Sequence, residues 1–200
     1  MKSISFTKIP LFFIPFLGFY FSCQKPATEH SIPENTYYDV TVNTNNEYLT
    51  AVFMDSVPEL GSRIAFINSK KDTIIPFGKY SICWTDTIKT YAIVFDKINT
   101  KGRTVAIDKN ERILFDIVFF DNWPDELHDS LFRVKRNEKI GYANSKGEIV
   151  IPCQFSCAFW FENGRAKVTY NCTEKTDKFE HTLPESDEWF YIDTKGKRIK

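Results

Sequence analysis

Lys139–Val168 reads KIGYANSKGEIVIPCQFSCAFWFENGRAKV, and this stretch decides the fold. A strand-forming run ends at Asn144, whose side chain can hydrogen-bond its own backbone and start a turn. Gly147 can take the positive φ that a tight hairpin demands. A second strand, Ile149–Ile151, runs into Pro152, which has no amide proton and is expected to end it. An aromatic connection then leads to a third strand that closes on Val168.

Weaker copies lie on both sides. Arg63–Asn68, a Ser-Lys-Lys turn, Thr73–Pro76 and Tyr91–Phe95 repeat the order, and so do Thr104–Asp108, Arg112–Phe120 (without the proline) and Ser130–Lys135. Trp189–Gly196 begins a fourth copy. The anchors Asn68, Asp108, Asn144 and Asp193 recur at intervals of 40, 36 and 49 residues, a period that signals a repeat architecture. Lys71 and Asn110 fill turns where the better copies have glycine, so those turns are expected to differ or to carry strain. Ahead of the copies, Tyr37–Val42 and Glu47–Met54 are expected to pair as a hairpin across residues 43–46, followed by a loop over 55–61. A three-stranded unit cannot bury its own apolar face and must stack on its neighbours. The predicted fold is therefore all-β, with about four antiparallel β-meander units in an open twisted array. Closure like a small β-propeller is the alternative, which the uneven spacing disfavours.

The third copy resembles a WG repeat. Gly141-Tyr142, Gly147, Ile149-Val150-Ile151-Pro152, Phe155 and Phe161-Glu162-Asn163-Gly164-Arg165-Ala166-Lys167-Val168 carry the likeness. The fourth copy keeps Tyr191-Ile192-Asp193 and Gly196, with Trp189-Phe190 where the family has Trp-Gly. The likeness extends from Leu49 to Lys200, specific in the second half and faint in the first. It implies an all-β repeat domain with a binding role, and it brings no catalytic residues.

Composition agrees with strands: 19 Phe, 9 Tyr and 4 Trp, and no sustained apolar stripe of helical period. The 26 basic and 26 acidic residues balance, which argues against a nucleic-acid partner. At the N-terminus, Lys2 and Lys8 precede the apolar run Ile9–Phe21, too short to span a bilayer and suited to a secretory signal. Its end, Ser22-Cys23-Gln24, resembles a bacterial lipoprotein signal, although Tyr20 and Phe21 depart from the strict pattern. On this reading residues 1–22 are removed, Cys23 carries the lipid, 23–36 form a tether, and 37–200 form the repeat domain. The protein is then exported and membrane-anchored in the bacterial envelope, at the outer membrane, because two or more acyl chains hold firmly.

Cys153, Cys157 and Cys172, with His181, lack the close pairs of a structural zinc site. An exported chain favours a disulfide involving Cys172, with three pairings open among the four cysteines other than Cys23. No metal and no cofactor is expected. Trp84, Trp123 and Trp160 lie 16, 15 and 16 residues after their anchors, so stacked repeats would align them. The expectation is a buried inner spine, since large rings bury most area; the alternative is an exposed row that stacks on sugars. No nucleophile elbow, phosphate loop or zincin motif occurs, and Glu126, His128 and Asp129 read as a solvated loop rather than acid–base machinery. Asp-hydroxyl-aliphatic triplets at Asp55, Asp72, Asp86 and Asp129 resemble exported O-glycosylation acceptors. The polar insertion 177–187 is a further place for partner contacts. The function expected is non-enzymatic binding or scaffolding, with an envelope protein as partner and a glycan as the alternative.

Overall fold

The computed structural model describes residues 36–40, 47–54, 62–96, 102–176 and 182–200. The expected signal segment, nearly all of the tether, turn 43–46, loop 55–61 with the Asp55 triplet, and the 177–181 part of the polar insertion lie outside them.

Every named element is a strand, and the named strand pairings run antiparallel. The first copy contains β1 (Leu49–Phe53), β2 (Ile64–Ile67), β3 (Thr73–Cys83), the short β4 (Thr87–Ile88) and β5 (Ala92–Asp96). The second contains β6 (Arg103–Ile107), β7 (Ile113–Ile117), a small hairpin of β8 (Phe119–Phe120) and β9 (Trp123–Pro124), and β10 (Leu131–Arg136). The third runs through β11 (Lys139–Asn144), β12 (Ile149–Phe155), β13 (Cys157–Ala158) and β14 (Arg165–Thr169). A separate hairpin, β15 (Thr173–Thr176) and β16 (Thr182–Glu185), precedes β17 (Phe190–Asp193) and β18 (Arg198–Ile199) of the fourth. The main sheet has the order β12-β11-β10-β7-β6-β5-β3-β2-β1-β4, and a second has β13-β14-β17-β18. The main sheet ends on β12 and β4, so the array is open, as the uneven spacing implied.

All four turns have one geometry. In each, the side-chain Oδ1 of the anchor accepts the backbone N–H groups two and four residues on, at 2.9–3.1 Å. The anchor carbonyl accepts the N–H three residues on. That third residue takes positive φ: Gly147 at 80° and Gly196 at 79°, but Lys71 at 72° and Glu111 at 60°. The degenerate copies thus keep the turn and bear the strain, and the strained residue of the second is Glu111 rather than Asn110. The anchor's other atom selects its partner by charge. The Asn144 amide donates to Glu148 and the Asn68 amide to Asp72, whereas Asp108 accepts from Arg112. At Gly147 a Cβ would also meet the Tyr91 ring at 2.7 Å.

The prolines do not end their strands. β3 runs through Pro76 and β12 through Pro152, and the ladder shifts register beside each. Lacking a donor, proline sits where the ladder is already broken by a bulge. The bulge pushes backbone across the facing strand: a Cβ on Gly141 would lie 2.5 Å from the Ile151 carbonyl oxygen and 2.7 Å from the Cys153 nitrogen. The residue in the equivalent position of the first copy is Ala65, and its ladder shifts at the same place. In the second copy Asp116 replaces the proline, Val105 replaces the small residue, and the two pair in regular register.

The shared spine is not tryptophan. Ile75, Phe115 and Ile151, each seven residues after its anchor, are buried, as are Val94, Val134 and Val168 on the third strands. The apolar clusters cross copy boundaries. Val105 and Ile107 of β6 pack with the first copy, and Ile192 of β17 packs with the third. Full burial of such a side chain contributes roughly 1.5–3 kcal/mol.

Tyr37 and Tyr38 do not pair with β1, whose neighbours are β2 and β4. The second copy captures them instead. Tyr37 Oη donates to Asp116 at 2.6 Å beside the Arg103–Asp116 pair, the Tyr38 N–H donates to the Ile113 carbonyl, and Arg136 donates to the Tyr38 carbonyl. The deficit of backbone partners in the isolated segment is met by copy two rather than by a hairpin mate.

Two substitutions separate these constraints in chemical denaturation. Gly141→Ala should lower stability by about 1–3 kcal/mol, because the blocking atoms are backbone. Lys71→Gly should raise it by about 0.5–1 kcal/mol, because it relieves a left-handed lysine without removing a contact.

Candidate functional site

Trp84, Trp123 and Trp160 all miss the buried core, which corrects the expected inner spine. The position 15–16 residues after the anchor falls on the connection between second and third strands, outside the sheet ladder. The core is filled by the aliphatic spine and by Phe66, Tyr142, Phe155 and Phe161.

The connections meet at a small hairpin, and Phe120, Trp123 and Trp160 form an aromatic ledge on one of its faces. The hairpin β8–β9 pairs Phe120 with Trp123, putting both side chains on one face. Trp123 is 68% exposed, Phe120 53% and Phe119 39%. Phe120 meets Trp160 edge-on at 5.1 Å, and Phe119 on the other hairpin face meets Trp84 at 5.7 Å. His128 lies nearly parallel to Trp160, with centroids 5.5 Å apart. The structure therefore links the three tryptophans through Phe119 and Phe120, which sequence spacing did not single out. Their signal was Phe119-Phe120 standing immediately before a turn and Trp123, in the copy whose second strand lacks proline.

The ledge is held from beneath. Arg133 lies over Trp160 at 5.6 Å and forms a two-pronged pair with buried Asp125, at 2.6 and 3.0 Å. Its remaining arm donates to the Ala158 carbonyl. Buried Tyr142 donates to the Phe159 carbonyl at 2.6 Å, pinning the residue before Trp160. Burial pushes the Tyr142 phenol above its ordinary range, so it remains a donor. Asp129 accepts the Gly164 N–H at 2.7 Å and ties the hairpin connection to the third copy. His128 thus stacks on Trp160, Asp129 is tied to the third copy, and Glu126 is exposed.

Cys157 and Cys172 form the disulfide, leaving Cys153 outside it. Cys157 is on β13 opposite Thr169, and Cys172 lies just beyond the end of β14, so the pairing follows from strand register. Cys153 on the bulge and Cys83 at the end of β3 are half-buried thiols. Burial raises both, Cys83 to about 11. Among the described residues no group of three metal-ligating side chains converges. Of the Asp-hydroxyl-aliphatic triplets, Thr73 and Ser130 are exposed and Thr87 is half-buried.

Residues 140–171 match the sequence model of the WG containing repeat. This stretch is similar to a WG repeat. The match covers β11 to β14, the part that holds the Gly141–Pro152 bulge and the Tyr142 bond beneath the ledge. Within it, Gly141 makes room for the bulge and Tyr142 ties the aromatic connection. No curated protein and no solved structure matches the chain significantly.

Thiol chemistry checks this assignment. In a Cys23→Ser chain, two thiols should react with a disulfide reagent at pH 8 only after unfolding, and a non-reducing peptide map should link Cys157 to Cys172. Replacing both of those with serine should cost about 2–4 kcal/mol, as for a loop of this length.

Proposed function

We propose that the protein is a lipid-anchored, non-enzymatic binding module of the bacterial envelope. The observation that supports binding is the aromatic ledge. Rings this exposed cost solvation free energy unless a partner covers them, and the buried Arg133–Asp125 pair braces Trp160, against which Phe120 packs. Export and anchoring at Cys23 rest on the N-terminal pattern, and the Cys157–Cys172 disulfide is consistent with an oxidising compartment. The outer membrane is the membrane proposed. An envelope protein stands first among partners on sequence grounds and a glycan second; the exposed carboxylates on the segment that carries Phe120 and Trp123 weigh toward the glycan.

Cell fractionation and in-cell cross-linking test both halves. Wild type should sediment with membranes and Cys23→Ser should become soluble. A Phe120→Ala/Trp123→Ala chain should remain anchored yet lose the envelope species that wild type retains. An unchanged set of retained species would overturn the ledge as the binding surface.

A further inference from the structure

We infer that the ledge binds an uncharged oligosaccharide, stacking its sugar rings on Trp123 and Phe120 and bonding its hydroxyls to the exposed carboxylates of the same segment, Asp121 and Glu126. The inference rests on the ledge being the binding surface and adds the class of ligand.

Ring geometry is the first argument. Trp123 and Phe120 share a hairpin face, and Trp160 stands edge-on to Phe120 with interplanar angle 82°. Trp160 is itself taken up by Phe120, His128 and Arg133, so the open rings are Trp123 and Phe120. A pyranose is apolar on its C–H face and polar around its edge. Two open rings side by side cover the one and leave the other free to reach polar groups.

Polar chemistry is the second. Asp121, Glu126 and Asp129 are exposed on the chain segment that carries Phe120 and Trp123, and His128 is half-buried against Trp160. A dry protein interface would have to strip water from these carboxylates, and charged groups are depleted from interface cores for that reason. Sugar hydroxyls instead donate to carboxylates, and water bridges the imperfect contacts. Charge then divides the glycans. Arg133, which lies over Trp160, is already engaged in its two-pronged pair with Asp125. A uronate or phosphate would meet three exposed carboxylates on this segment, so the surface suits uncharged sugars and repels acidic ones.

Titration of the full-length lipoprotein in a sugar-free zwitterionic detergent tests this, read by calorimetry and tryptophan fluorescence. The probes are cellohexaose, chitohexaose, xylohexaose and mannohexaose, with hexagalacturonate as the acidic counterpart. At least one uncharged hexaose should bind saturably. Trp123→Ala and Phe120→Ala, whose exposed positions leave the fold intact by melting temperature, should each weaken it at least tenfold. Hexagalacturonate should not bind. Absence of binding by all four uncharged probes, indifference to both substitutions, or preference for hexagalacturonate would overturn the inference. If the uncharged probes fail while the same substitutions still abolish envelope retention, the binding module stands and its partner is a protein.

Discussion

Everything in this fold depends on one side-chain oxygen per repeat. The Oδ1 of Asn68, Asp108, Asn144 and Asp193 holds two backbone amides of the turn that follows. Those amides lie at strand ends, where no ladder partner is in reach, so the side chain supplies what the sheet cannot. Fixing the turn fixes the register of the two strands it joins, and register decides which residues face the core. That is why Ile75, Phe115 and Ile151 all reach the interior at the same offset from their anchors, despite differing neighbours.

Within that frame the copies diverge by compensation. Gly141 with Pro152, and Ala65 with Pro76, are two versions of a small residue facing a bulge. Val105 with Asp116 is the version without the bulge, and the straightened strand there buries a carboxylate that captures Arg103 and Tyr37. Asp116, standing where the first and third copies have proline, thus anchors the segment entering the domain. The same copy carries the β8–β9 hairpin, whose rings build the ledge. The least regular repeat is where both the entry segment and the candidate surface are organised.

This explains what could be read in the sequence. Strand order and the open array followed from the recurring anchors, since spacing along the chain reports local hydrogen bonding directly. The strands through Pro76 and Pro152 were misjudged because a missing donor marks either an end or a bulge, and only the facing glycine or alanine distinguishes them. The tryptophans were expected inside because equal spacing suggested one shared environment. Equal spacing placed them equally on the connections, where the environment is set by neighbours such as Phe120 and Arg133 that share no spacing rule. The 157–172 disulfide needed the β13–β14 register, which residue spacing alone does not reveal. Phe119 and Phe120 looked like the end of a long strand, and their role depended on a two-residue hairpin.

Amide hydrogen exchange on the full-length chain measures the central constraint most directly. The amides of Asp72, Arg112, Glu148 and Lys197, each four residues after its anchor, should exchange more slowly than exposed turn neighbours in all four copies. Protection in the third and fourth copies alone, with free exchange at Asp72 and Arg112, would contradict the account that one turn phases the whole array.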